Sequence, residues 1–182
     1  HKMLGVPALC TGLFYRRSED AYCAFSQRAD YLYEKGEQDE WWNLSKRTFE
    51  CTKRMLSTRV AAVLEEYGPE IWGVLVDRLF GLGKELAERI VQRSGSGWEL
   101  AMEPACNIVC FRYLPRDFKD TKAENAFTQL LRQRHLEEGP QYMVQTRFDG
   151  KVWLRCTLMN PLTEPQDMKD LLDRIEVLAQ EL

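Results

Sequence analysis

The sequence predicts an α/β chain in two parts, a helix-rich first half and a small antiparallel sheet covered by helices. Three observations predict this class. Apolar residues recur at helical spacing through most of residues 46–92. Asp149-Gly150 separates two β-prone segments, as in a two-residue hairpin. Ser94-Gly95-Ser96-Gly97 interrupts the pattern between these regions, so we expect domains at residues 1–94 and 95–182.

The first half contains a predicted strand, a long loop and three helices. The apolar run at 8–15 predicts a buried strand, and Ser18-Glu19-Asp20 predicts the start of a short helix. The charged segment 28–43 has no clear period and predicts a loop. A helix is expected over 46–67. Gly68-Pro69 ends it and begins another, because proline suits the first turn of a helix.

The second half alternates predicted strands and helices. The expected strands are 98–102, 107–114, 142–148 and 152–159. A helix is expected over 121–138, where Gly139-Pro140 closes it. A final amphipathic helix follows Thr163, which is expected to form a capping box with Gln166. This order is typical of an α+β domain, an antiparallel sheet covered by helices.

Charge and cysteine content exclude several classes of function. Lys and Arg number 25 against 28 Asp and Glu, so the chain lacks the basic excess typical of nucleic-acid binding. No apolar run approaches the roughly 20 residues of a membrane span, and no signal peptide is seen, so we expect no membrane partner and a cytoplasmic protein. The 6 cysteines lack CxxC spacing and only 2 histidines are present, which predicts no metal site and reduced thiols.

Three residues are candidates for chemistry. Lys2 directly precedes an apolar run, where partial desolvation would lower the pKa of its amine and make it nucleophilic, although most such lysines are simply solvated. Tyr31 lies in the predicted loop, where tyrosines are either surface residues or proton donors on mobile lids. Arg155 lies in mid-strand, where it either pairs with an acidic side chain or binds a ligand carboxylate.

Other polar residues are assigned structural positions. His135 ends the charged run Arg132-Gln133-Arg134, so we expect it on a solvated helix face. Cys106 and Cys110 flank an apolar stretch, and core packing accounts for both.

Several segments, in order, resemble one family. His1-Lys2-Met3-Leu4-Gly5-Val6-Pro7 resembles the lysine segment of the group II pyridoxal-phosphate (PLP)-dependent amino acid decarboxylases, which include glutamate, cysteine-sulfinate, aromatic amino acid and diaminobutyrate decarboxylases. Ala29-Asp30-Tyr31-Leu32-Tyr33 resembles their catalytic loop. Leu154-Arg155-Cys156-Thr157-Leu158-Met159-Asn160-Pro161 resembles their carboxylate-binding strand. Segments 47–53 and 103–111 extend the resemblance along the whole chain.

This resemblance implies a fold, a cofactor and residue roles. The chain would be the C-terminal part of a type I PLP-dependent fold, in a homodimer with its active site at the subunit interface, and it would work with an N-terminal part of the same enzyme. Lys2 would hold PLP, and His1 would lie near the cofactor and its phosphate. Tyr31, on a loop reaching the neighbouring subunit, would return a proton to the substrate carbon. Arg155 would bind the substrate carboxylate.

The expected function is PLP-dependent decarboxylation of an L-amino acid by the complete protein, with these 182 residues inactive alone. Asn43-Leu44-Ser45 stands where the family usually has Asp-Ser/Thr-Gly. This departure keeps open a non-catalytic, decarboxylase-like dimerisation or regulatory partner. Another alternative keeps PLP but forms a carbonyl product, although the presence of Tyr31 favours plain decarboxylation. Gln145 and Arg147, if near the site, favour a polar or acidic substrate side chain.

Overall fold

The computed structural model describes residues 1–25, 44–50 and 53–182 of the chain. The chain divides into two compact units, 1–68 and 69–182. Tyr31 and the whole of the predicted 28–43 loop lie outside the described residues. Within the described ranges, no helix has both the length and the apolar composition that a membrane span requires.

The described residues of the first unit contain two α-helices, α1 (Ser18–Ala24) and α2 (Ser57–Tyr67), and a 3-10 helix at Leu44–Arg47. The predicted start of a helix at Ser18 is confirmed. The predicted helix over 46–67 is wrong in its first part, because α2 begins only at Ser57. Before it, the Thr48 hydroxyl donates a 3.0 Å hydrogen bond to the Glu50 carbonyl, a local bond that competes with helical backbone pairing.

The predicted strand at 8–15 is wrong. These residues have no strand structure, and Leu9, Leu13 and Phe14 are 74%, 68% and 93% exposed. A strand needs a neighbouring strand to satisfy its backbone groups, and all four strands of the described residues lie in the second unit. An apolar, β-prone sequence was therefore not sufficient to form one.

The second unit is an antiparallel sheet with three α-helices and a 3-10 helix at Ser94–Ser96. Its strands are β1 (Trp98–Leu100), β2 (Ile108–Tyr113), β3 (Val144–Phe148) and β4 (Lys151–Thr157), in the order β1-β2-β4-β3. Its helices are α3 (Glu70–Gln92), α4 (Thr121–Glu138) and α5 (Pro165–Gln180). Helix α3 packs on β1 and β2, α4 packs on β3 and β4, and α5 packs on α4. The predicted α+β arrangement is confirmed.

The core of this unit lies where the helices pack on the sheet. Its fully buried large side chains come from every helix and from three strands, and include Trp98, Phe111, Leu82, Leu86, Leu131, Leu154, Leu172 and Ile175. The centroids of the Trp98 and Tyr113 rings are 4.7 Å apart, and the Trp98 Nε1 donates a 2.8 Å hydrogen bond to the Glu176 carboxylate. A buried indole whose N–H is satisfied in this way joins the sheet to α5.

Short-range signals in this unit are mostly confirmed. Asp149 and Gly150 have φ angles of 50° and 70°, as the predicted hairpin turn between β3 and β4 requires. The capping box of α5 lies one residue later than predicted, on Glu164 and Asp167, because Pro165 occupies the first helical position.

The boundary between the compact units falls at Gly68–Pro69, so α3 belongs by packing to the second unit. Gly83 of α3 lies so close to the chain before β2 that a Cβ there would stand 2.8 Å from the Cys106 carbonyl oxygen. The division expected at 94/95 refers to domains of a complete enzyme and stays a prediction.

Candidate active site

Lys2 lies in a tight turn at the start of the first unit. The Gly5 N–H donates a 3.3 Å hydrogen bond to the Lys2 carbonyl, and Gly5 adopts a φ of 63° that favours glycine. Val6, directly after the turn, is buried. The Lys2 side chain is exposed, and its amine has no hydrogen-bond or ion-pair partner among the described residues. Within the part of the chain that the structure describes, the turn therefore leaves the Lys2 amine exposed.

His1 is fixed beside this lysine by the chain that follows the turn. Its Nδ1 lies 2.8 Å from the Cys10 carbonyl oxygen, and the residue is half-buried. A hydrogen bond at Nδ1 makes Nε2 the ring nitrogen that remains for other contacts.

Arg59 of α2 forms hydrogen bonds with the segment between the Lys2 turn and Cys10. Its Nη1 donates a 3.2 Å hydrogen bond to the Pro7 carbonyl and another to the Ala8 carbonyl. Sequence reasoning missed this residue, because nothing in the local pattern marks a contact across about 50 residues. Arg59 therefore ties the lysine segment to α2.

Arg155 lies in the middle of β4, opposite Cys110 of β2 and Val144 of β3. Directly opposed residues of antiparallel strands stand on the same face, about 5 Å apart. Arg155 is half-buried, and its guanidinium makes no hydrogen bond or ion pair with any described residue. The sequence left two alternatives for Arg155, an acidic partner within the protein or a ligand carboxylate. The described residues provide no acidic partner.

A second arginine stands on the same face and is fully paired. Arg112, opposite Glu99 of β1, donates 2.7 Å and 2.9 Å hydrogen bonds to Glu99 and Glu124. Its guanidinium also lies 5.1 Å from the centre of the Trp153 ring. Burial acts to lower the pKa of Arg112, but the two carboxylates outweigh it and raise that pKa. We call the face carrying Cys110, Arg112, Val144, Trp153 and Arg155 the arginine face.

The thiols near Arg155 are protonated groups. Burial raises the pKa of Cys110, and the Arg155 charge offsets part of that rise. Burial raises the pKa of Cys156 to about 12. Neither is a ready nucleophile, because the reactive form is the thiolate. Cys110 and Cys106, expected in the core, are half-buried.

The second unit locates Gln145 and Arg147 and corrects the expectation for His135. Gln145 and Arg147 pair with Leu154 and Val152, so the alternation of β4 places them on the face opposite to Arg155. His135, expected on a solvated face, is fully buried because α4 packs its last turns against the core. Burial lowers the pKa of His135, and the Gln141 backbone offsets part of this.

The candidate residues divide between the two units. Lys2 and His1 belong to the first, and Arg155 belongs to the second, so each is defined by its own surroundings. Tyr31 lies outside the described residues. Within the described part of the chain, no three His, Cys, Asp or Glu side chains group as metal ligands do.

Comparison with known families assigns the chain. The profile described as the pyridoxal-dependent decarboxylase conserved domain matches residues 1–114. The chain belongs to this family. Its fold is accordingly the C-terminal part of the type I PLP-dependent fold. The family uses a pyridoxal cofactor, and the exposed amine of Lys2, which has no partner within residues 1–25, 44–50 and 53–182, fits the need of such a cofactor for a primary amine.

Relatives and solved structures agree with this assignment. The mouse acidic amino acid decarboxylase GADL1 is 25% identical over the whole chain, which covers 34% of that protein. The L-2,4-diaminobutyrate decarboxylase of Rhizobium meliloti is 28% identical over the whole chain and 36% of its own length. The glutamate decarboxylase domain of a Vibrio parahaemolyticus diaminobutyrate-pyruvate transaminase and L-2,4-diaminobutyrate decarboxylase matches 78% of the chain and 29% of its own, with a TM-score of 0.65 and 30% identity. The chain thus spans about a third of the length of the curated relatives it matches.

Proposed function

We propose that the complete protein decarboxylates an L-amino acid with PLP, and that this chain supplies the C-terminal part of the enzyme. The observation that carries the proposal is the half-buried guanidinium of Arg155, which has no acidic partner among the described residues, in a chain of the pyridoxal-dependent decarboxylase family. A charge placed in a sheet without an acidic partner is suited to an anionic ligand. Every amino acid carries such a group in its carboxylate.

Lys2 and His1 are proposed to hold the cofactor. PLP, when bound, supplies the electron sink that accepts the electrons left by the departing carbon dioxide. The Lys2 amine would hold the cofactor covalently, and the hydrogen bonds from Arg59 keep the segment after the turn in place. His1 contributes an imidazole that is already oriented by Cys10.

Arg155 is proposed to bind and orient the substrate carboxylate. A guanidinium and a carboxylate form two parallel hydrogen bonds, which fix the orientation of the carboxylate as well as its position. Holding the substrate in one orientation is itself a large part of catalysis. Tyr31 is proposed to deliver the proton that replaces carbon dioxide on the substrate carbon.

The proposed substrate has a polar or acidic side chain. This rests on the names of relatives, which act on acidic amino acids in mouse and on 2,4-diaminobutyrate in Rhizobium meliloti. Gln145 and Arg147 lend no support, because they stand on the opposite face from Arg155. A cytoplasmic homodimer that also contains an N-terminal part of the same enzyme completes the proposal.

A non-catalytic decarboxylase-like partner is the second candidate. Leu44 and Ser45, in a 3-10 helix, stand where the family usually has Ser or Thr and Gly, and this favours it. The two candidates differ in cofactor binding. The partner protein would bind no PLP even at full length.

An absorbance scan of the full-length protein with added PLP tests the proposal. We expect a visible band that borohydride removes, with the reduced label mapping to Lys2, and loss of both in Lys2→Ala. Lys53→Ala is the matched control, because Lys53 is also an exposed lysine of the first unit. Turnover of L-aspartate, L-cysteine sulfinate and L-2,4-diaminobutyrate completes the test. No band and no turnover would reject the enzyme and favour the non-catalytic partner.

A further inference from the structure

The arginine face carries two guanidinium groups whose cross-strand partners differ in charge. Arg112 is opposite Glu99, and the two side chains form a 2.7 Å ion pair. Arg155 is opposite Cys110 and Val144, and neither carries a charge at neutral pH. Register alone therefore decides which arginine receives a carboxylate from its own sheet.

Cys110 combines three properties at this position. It is half-buried and small, so it leaves the neighbouring guanidinium accessible. Burial raises the pKa of its thiol, so no thiolate forms beside Arg155 at neutral pH. It lies directly opposite Arg155 in the register of β2 and β4, which places the two side chains on one face about 5 Å apart.

We propose that Cys110 is a positioning residue, which keeps Arg155 unpaired and thereby available to the carboxylate of the substrate. A carboxylate at position 110 would occupy the guanidinium, as Glu99 occupies that of Arg112. The proposal deepens the proposed function and depends on it for its kinetic test. It makes the neutral cross-strand partner, as well as the arginine, a determinant of carboxylate binding.

The experiment compares Cys110→Asp with Cys110→Asn in the full-length protein. The two substitutions have the same size, so the ratio of their KM values isolates the effect of charge. We expect KM for the amino acid to be at least about thirtyfold higher in C110D than in C110N, with a much smaller difference in kcat at saturation. Such a split separates blocked binding from general damage. Cys23→Asp and Cys23→Asn, at an exposed cysteine of α1, should give equal KM values.

An unfolding measurement tests the same contact without turnover. In the full-length protein, C110D should be at least as stable to urea as C110N while Arg155 is present. It should be less stable than C110N when R155M removes the guanidinium, because the new carboxylate is then half-buried and unpaired. An equal stability difference in both backgrounds would show that position 110 does not contact Arg155.

The two measurements distinguish the inference from the proposed function. A wild-type protein that turns over no amino acid contradicts the proposed function, and the unfolding comparison then still decides whether position 110 controls Arg155. An active wild type with equal KM values in C110D and C110N overturns the inference alone.

Discussion

Arg112 and Arg155 stand on one face of one sheet, and their surroundings are opposite. Arg112 is 3% exposed and bonded to Glu99 and Glu124, whereas Arg155 is half-buried and has no acidic partner among the described residues. A buried arginine with two carboxylates has its hydrogen-bonding capacity used within the protein. An arginine without such carboxylates keeps its guanidinium N–H donors available for a ligand. Arg112 is thus structural. Arg155, which lies opposite Cys110 two residues from Arg112 along β2, is functional by our proposal.

Replacing Arg155 should give the largest effect on activity and little effect on folding. Two hydrogen bonds from a charged donor are each worth about 1.5–3 kcal/mol, so Arg155→Met should lower kcat/KM about a thousandfold. Arg155→Lys should recover only part of this, because an ammonium lacks the two-pronged geometry. Steady-state kinetics and urea unfolding of the full-length protein are the measurements. A loss of stability matching the loss of activity would contradict the comparison.

Replacing Arg112 should do the reverse. Arg112→Met removes a buried charge and leaves two carboxylates close together, and we expect a loss of about 2 kcal/mol in the free energy of unfolding. This lies below the usual 3–5 kcal/mol for a broken buried pair, because the Glu99 and Glu124 side chains are 44% and 23% exposed and can rehydrate. Urea midpoints measure it. KM should change no more than a few-fold, and a large rise in KM would mean that Arg112 also contacts the substrate.

His135 extends the comparison to a buried histidine that has no carboxylate partner among the described residues. Its lowered pKa means that the unfolded chain binds the proton more readily than the folded one. Stability is therefore full above the unfolded pKa of about 6.5 and falls as the pH decreases toward the folded value. The slope approaches about 1.4 kcal/mol per pH unit. Urea midpoints between pH 7.5 and 5.5 should fall less in His135→Gln, and an identical fall would exclude His135 as the cause.

The smallest expected effect concerns thiol reactivity. Iodoacetamide at pH 8 should label the exposed Cys23 faster than the half-buried Cys110, and should leave Cys156 unlabelled until the protein unfolds, because its pKa is about 12. Arg155→Met should slow labelling of Cys110 a few-fold further, since the Arg155 charge lowers the pKa of this thiol. Peptide mapping by mass spectrometry follows each site. Faster labelling in Arg155→Met would mean that Arg155 shields the thiol more than it activates it.

Local signals in the sequence were sufficient for much of the second unit. The bounds of α4 follow from the polar start at Thr121 and the break at Gly139-Pro140, and the 149–150 turn follows from the chemistry of Asp-Gly. These features depend on interactions within a few residues, so they can be read directly. The 8–15 segment shows the limit, because a strand depends on a partner elsewhere in the chain.

The candidate site follows the same division. The sequence by itself determined the family through the Lys2 segment and its neighbours, and it marked Arg155 as an arginine that needs a partner. Only the tertiary structure decided that Arg112 receives Glu99 and Glu124, that Arg155 faces the thiol of Cys110, and that His135 is buried. The physical reason is that strand register and helix packing join residues far apart in the chain. Whether a charge is used or left available is a property of those contacts.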